Sequence, residues 1–114
     1  IGGLKNLIKL KKKNFSIALM IDQRVTEGIS ANFFNEKALT TTIPAQLAKK
    51  FDIPIVPVYI ERIQEINFRI VINKPIKFSK DSSIKKITNE LNQILEKMIL
   101  KKPHQWIWSH NRWK

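Results

Sequence analysis

The spacing of apolar positions shifts along the chain, and each shift marks the edge of an expected element. In residues 1–13, Leu4, Leu7 and Ile8 follow three- and four-residue steps while Lys5, Lys9, Lys12 and Lys13 face elsewhere, which predicts an amphipathic helix ended by Asn14. Phe15–Ile21 is a short, nearly unbroken apolar run closed by Asp22. Such a run predicts a strand buried on both faces, as in a parallel sheet. Residues 22–41 show no period and carry the turn formers Gly28, Asn32 and Asn35, so a long loop is expected there. Thr42, Pro44, Leu47, Ala48 and Phe51 predict a helix over residues 42–51, with Asp52 closing it. Ile53–Glu61 predicts a second strand, with Pro54 and Pro57 marking an irregular entry or an edge. Asn67–Ile72 alternates and is expected to pair with residues 55–62 as a hairpin. Ser82 or Ser83 then caps a helix to about Leu100, striped by Ile84, Ile87, Leu91, Ile94, Leu95, Met98 and Ile99 and stopped by Pro103. The order is α-β-loop-α-β-β-α-tail, an α/β layer structure.

Composition narrows this picture. At 114 residues the chain suits one compact unit, and 43% apolar residues are too many for a disordered one. Cysteine is absent, which excludes disulfides, thiolate metal sites and a cysteine nucleophile. The longest apolar stretches, Ile17–Ile21 and Ile53–Ile60, are far below the roughly 20 residues of a spanning helix, and no signal peptide is expected. The chain begins with Ile1 and is expected to be part of something longer. Its net charge of +12 comes from 21 basic and 9 acidic residues, with 17 Lys against 4 Arg alongside 19 Ile and 9 Asn. That bias fits A/T-rich codons on solvated faces as well as an anionic partner such as nucleic acid, phosphorylated lipid or an acidic carrier.

Few residues form a pattern with chemical meaning. No glycine-rich phosphate loop or nucleophile elbow is present, and His104 and His110 lack nearby carboxylates in sequence, so no metal or cofactor is expected. Ligands of open α/β sheets bind beyond the carboxyl ends of strands, where Asp22-Gln23-Arg24 falls. A carboxylate, an amide and a guanidinium can together fix a polyhydroxyl or phosphorylated ligand. The plainer alternative is that Asp22 caps a turn and Arg24 pairs with Glu27. Phe33-Phe34 is either an apolar wall for a lipid chain or a plug that pins the loop. Trp106, Trp108 and Trp113 could stack on bases, sit in a membrane interface or pack across the sheet. In an extended tail Trp106 and Trp108 would share one packed face and Trp113 would be exposed.

Taken in order, Asp22-Gln23, Glu27-Gly28-Ile29, Phe33-Phe34, Thr40-Thr41, Ala45-Gln46-Leu47-Ala48, Pro54 to Pro57 and Arg62 resemble the C-terminal half of the lipid A biosynthesis acyltransferases. The tail Gln105-Trp106-x-Trp108-x-His110-x-Arg112-Trp113 is similar to that family's C-terminal motif, and the likeness covers about residues 15–114. Asn35 stands where the family usually has Gly, but Asn tolerates a left-handed turn. The resemblance implies the C-terminal half of a glycerolipid-acyltransferase-like three-layer fold with a mixed sheet, and makes residues 1–114 part of a single acyltransferase domain. It implies transfer of a fatty acyl chain from an acyl carrier protein thioester to an anionic glycolipid, in lipopolysaccharide biosynthesis. Localisation at the cytoplasmic face of the bacterial inner membrane follows from the same likeness. Asp22, Gln23, Arg24, Phe33, Phe34, Thr41 and Arg62 become the expected substrate-binding residues. The family's His-x4-Asp/Glu catalytic motif has no copy here, since Ser109 stands five residues after His104, so no catalytic residue is expected in this chain. The family's N-terminal anchor is likewise expected outside it. A basic nucleic-acid-binding module remains the alternative; it accounts for the charge and the Trp-rich tail but not for the α/β order.

Overall fold

The computed structural model describes residues 2–113, with side chains from Lys5 onward. Ile1 and Lys114, and the Leu4 side chain of the first expected stripe, lie outside the described residues. The elements in chain order are α1 (Gly2–Lys12), β1 (Ile29–Phe33), β2 (Glu36–Thr40), α2 (Ile43–Phe51), β3 (Val58–Gln64), β4 (Asn67–Ile72) and α3 (Ile84–Lys101), followed by a 3-10 turn at Pro103–Gln105. The chain is a mixture of helix and sheet, as expected. Among the described residues its strands form two separate two-stranded antiparallel sheets, β1–β2 and β3–β4, instead of one mixed sheet.

α3 is the spine. Ser83 caps it, its hydroxyl accepting from the Lys86 backbone N–H at 3.1 Å. The first half of its stripe, Ile87 and Leu91, packs with Ala45 of α2, with Ile21, Ile55, Phe78 and Ile94 around them. The second half carries Ile99, which packs with Phe33 and Ala38 of the first hairpin, joined by Phe34, Leu95, Trp106 and Trp113. α2 begins at Thr42 with Pro44 in its first turn and ends at Asp52, which adopts a left-handed conformation (φ 50°) and returns its N–H to the Ala48 carbonyl. The Thr42 side chain makes no capping bond to the backbone; its hydroxyl accepts from Gln46 Nε2 at 2.7 Å.

The long loop expected over residues 22–41 is instead half hairpin. β1 and β2 pair from Ile29 with Thr40 to Phe33 with Glu36. Phe34 and Asn35 make the two-residue turn with φ of 49° and 63°. Positive φ at both positions is the turn that suits the right-handed twist of a hairpin, and Asn35 takes the left-handed conformation expected of it. The hairpin is hard to see in sequence because its inward residues are Ala31, Phe33, Ala38 and Thr40, of which one alone is large and apolar.

The expected strand at Phe15–Ile21 is not formed. The segment has no regular structure and joins no ladder, and Phe15, Leu19 and Met20 are exposed. An apolar run becomes a buried strand only where a neighbour offers backbone partners, and β1 is engaged differently. Its outer edge is bonded by α3 side chains: Asn89 Oδ1 accepts from Asn32 N at 3.2 Å and Glu96 Oε1 accepts from Phe34 N at 2.8 Å, while Asn92 Nδ2 donates to Asn32 O at 2.8 Å. The expected second strand and hairpin are present, with β3 starting at Val58 because Pro54 and Pro57 hold the entry irregular. Ile55 makes a lone bridge to Ile76. One face of this ribbon, Val58, Ile60, Phe68, Ile70 and Ile72, is apolar and exposed.

Candidate functional site

The sequence places its polar candidates at Asp22-Gln23-Arg24, and the structure sets that turn over the open end of the first hairpin. Ile21 packs against the cluster of Ala45, Ile87 and Leu91. The chain then loops through Val25 and returns to the hairpin at Gly28, which lies against Thr40. A Cβ on Gly28 would stand 2.4 Å from the Thr40 carbonyl oxygen and 2.9 Å from the Val25 side chain, so only glycine fits. Asp22 is half-buried, whereas Gln23 and Arg24 are exposed with no hydrogen bond or ion pair among the described residues. The expected alternative pairing of Arg24 with Glu27 does not occur.

Thr40 is the centre of this end of the fold. Its hydroxyl donates to the Ala38 carbonyl at 3.1 Å and accepts from Asn92 Nδ2 at 3.2 Å and from the Arg112 guanidinium at 2.9 Å. Arg112 also donates to the Leu39 carbonyl at 2.5 Å and lies 5.3 Å over the Phe33 ring. It is 0% exposed. Burial pulls its pKa below the ordinary arginine value, and the Asp22 charge pushes it back up. The guanidinium remains a cation in either case. Thr41 beside it is half-buried, its hydroxyl accepting from the Ile43 N–H at 3.3 Å as α2 begins.

The aromatic candidates cluster on the other side of the hairpin. Phe33 is fully buried and Phe34 half-buried, with ring centres 4.9 Å apart. Phe33 is therefore a packing residue, while Phe34 keeps a partly open ring 5.8 Å from Trp108. The tail is not extended, so the expected division of its tryptophans is corrected. Trp113 is packed, 5.6 Å from Phe33 and donating its indole N–H to the Phe33 carbonyl at 3.0 Å. Trp106 packs on Phe33 at 5.7 Å, whereas Trp108 is 47% exposed. Turns at residues 108–109 and 112–113, with the His110 N–H bonded to the Ile107 carbonyl at 3.2 Å, break the two-residue alternation on which that division rested.

Arg62 is not gathered with the others by direct contact. It sits exposed on β3, its guanidinium 4.7 Å over Phe68 and bonded to the Glu65 carbonyl at 2.5 Å. Its backbone ties the ribbon to the tail, accepting from Lys102 Nζ and Gln105 Nε2, both at 2.9 Å. Nearby, Glu61 holds Arg69 at 3.1 Å and Lys102 at 3.4 Å.

The sequence did not single out Thr40 or Asn92 for a joint role. A signal for Asn92 was present: it is a polar residue on the packed face of α3, one turn from Thr88 and beside Leu91. Nothing in the spacing announced that it would meet Thr40. Among the described residues no three His, Asp or Glu side chains gather where a metal could be held. What the hairpin end offers is an exposed amide and guanidinium beside a half-buried carboxylate, a set that donates to and accepts from hydroxyls and phosphates. Among curated proteins no sequence matches the chain. The family model described as bacterial lipid A biosynthesis acyltransferase matches residues 1–114, the whole chain, and the chain belongs to that family.

Proposed function

We propose that the chain forms the acceptor-facing part of an acyltransferase domain that acylates a lipid A precursor, with an acyl carrier protein thioester as donor. In the reaction, an acceptor hydroxyl attacks the thioester carbonyl as a general base removes its proton. The C–S bond then breaks, an ester forms, and the carrier leaves as a thiol once protonated. This chain has no His-x4-Asp/Glu motif, and its two histidines have no carboxylate partner among the described residues. The base therefore comes from residues outside this chain. The role proposed for Asp22, Gln23 and Arg24 is to bind the phosphorylated sugar of the acceptor, with Thr41 and, on the separate β3–β4 ribbon, Arg62 as further contacts and Phe34 near an acyl chain.

The observation that carries this proposal is the exposed Gln23-Arg24 pair on a turn between Ile21, packed against the cluster of Ala45, Ile87 and Leu91, and Gly28, set close to the Thr40 carbonyl. Polar groups left open beside packed residues suit ligand binding. The +12 charge favours an anionic donor, acceptor and membrane surface, consistent with a place at the cytoplasmic face of the inner membrane. No helix among the described residues is long and apolar enough to cross a membrane. The nucleic-acid alternative keeps the charge and the exposed Trp108 but has less of the tail to draw on, because Trp106 and Trp113 are engaged on Phe33. Co-sedimentation with vesicles carrying a phosphorylated glycolipid, set against binding to single-stranded RNA over a range of salt, tests the choice. Vesicle binding that survives higher salt than RNA binding is expected; tighter RNA binding throughout would overturn the proposal.

A further inference from the structure

In an antiparallel ribbon successive side chains point to opposite faces, so the β3–β4 hairpin divides its residues in two. One face meets the body of the chain. The Lys101 ammonium lies 5.5 Å over the Tyr59 ring, and Glu61 pairs with Arg69 at 3.1 Å and with Lys102 at 3.4 Å. The other face sets Val58 opposite Ile72, Ile60 opposite Ile70 and Arg62 opposite Phe68. Its five apolar side chains are each at least 50% exposed, and Ile66, on the turn that joins the strands, is 84% exposed. A contiguous apolar face of this kind marks a surface that engages a partner.

The charges around the face indicate which partner. At one end the Arg62 guanidinium lies 4.7 Å over Phe68 and donates to the Glu65 carbonyl. At the other, Lys74 follows Ile72, exposed and without an ion pair among the described residues. No carboxylate lies on the face between them: Glu61 is on the opposite face, and Glu65 is on the turn beside Ile66. A second copy stacked on the face, in either direction, would set cations against cations, and the +12 charge adds to that repulsion. Protein interfaces also carry direct hydrogen bonds, whereas the side chains between the two cations are Val, Ile and Phe, with no polar atom. Aliphatic side chains in the middle and cations at the ends match hydrocarbon flanked by anionic headgroups, the arrangement that holds an amphipathic element in the plane of a bilayer surface.

We propose that this face of the β3–β4 ribbon docks on a bilayer that contains anionic phospholipid. The ribbon lies flat, with Val58, Ile60, Phe68, Ile70 and Ile72 against the acyl boundary and Arg62 and Lys74 at the headgroup phosphates. The docking uses none of Asp22, Gln23 and Arg24 and stands without the acceptor reading.

Co-sedimentation of the chain with vesicles of equal parts phosphatidylcholine and phosphatidylglycerol, free of glycolipid, tests it. Ile60→Thr combined with Ile70→Thr keeps β-branched side chains on the strands, and should weaken binding at least about tenfold with little change in melting temperature. Lys74→Gln should weaken it about fivefold. Because the chain has no cysteine, Ile70→Cys and Lys85→Cys each accept a single environment-sensitive fluorophore. Emission from residue 70 should shift to the blue on vesicles, and emission from residue 85, on α3, should not. Unchanged vesicle binding in the double variant, equal shifts from the two labels or no shift at residue 70 would each overturn the proposal. So would a dimer of the native chain that the double variant dissociates, since a second copy would then own the face. Docking by this face with no added affinity for phosphorylated glycolipid would support the proposal and count instead against the acceptor reading.

Discussion

Two buried hydroxyls in this molecule stand at opposite extremes. Thr40 uses its single proton and both lone pairs, on Ala38, Asn92 and Arg112. Tyr59 has a hydroxyl shut off from water with no hydrogen-bond partner among the described residues. An enclosed hydroxyl without a hydrogen bond carries a desolvation penalty that no contact repays, so Tyr59→Phe is expected to stabilise the chain by about 1 kcal/mol. The same enclosure raises the Tyr59 pKa above 10.0, first through desolvation and then through the charge of Glu61. The sign follows from linkage: a phenol harder to ionise when folded adds stability below the unfolded pKa, and that stability is lost as pH rises through the folded value. The native chain should therefore lose stability above pH 10 faster than Tyr59→Phe does. Urea titrations of both between pH 8 and 11 measure the difference, and parallel curves would show that the hydroxyl is hydrated.

At the scale of elements, the first hairpin is held from both sides. Asn89, Asn92 and Glu96, spaced three and four apart on one face of α3, occupy the β1 edge that another strand would otherwise take. The tail closes the opposite side through Trp113 and Arg112. Trp113→Ala is accordingly expected to destabilise by about 3 kcal/mol, the low end for a packed tryptophan, and Trp108→Ala by less than half of that. Thermal melts of the two variants decide it, and equal shifts would mean that the tail does not clasp the hairpin.

These elements differ in how far the sequence announced them. α2 and α3 have local signals that local structure obeys: Pro44 in a first turn, Ser83 at a cap, and a stripe from Ile87 to Ile99. β1 and β2 lack such a signal because Ala31, Ala38 and Thr40 face inward, and their burial depends on α3 arriving from sixty residues away. Phe15–Ile21 has the reverse character, a strand-like composition whose pairing must come from elsewhere. The site shows the same division. Asp22, Gln23 and Arg24 are adjacent and legible as a group, whereas the meeting of Thr40, Asn92 and Arg112 is a product of packing that no spacing in the chain encodes.

At the scale of the whole molecule, binding and chemistry separate. The chain has an exposed polar turn, an excess of positive charge and an exposed apolar face on the β3–β4 ribbon, which agree with the anionic lipid acceptor proposed for it. Among the described residues no histidine is held by a carboxylate as an oriented base would be. A general base must lie within hydrogen-bond reach of the hydroxyl it deprotonates and is normally held by a third group. His104 and His110 are exposed on the tail, and neither is oriented by a carboxylate among the described residues. Losing a general base typically removes about 10²–10⁴-fold in rate. The expectation is therefore that the purified chain binds phosphorylated glycolipid yet transfers no acyl group above the uncatalysed rate. Incubation with an acyl carrier thioester and the glycolipid, followed by mass spectrometry of the lipid, measures this. Transfer well above background that is abolished by His104→Ala or His110→Ala would place the base in the tail and reverse the assignment.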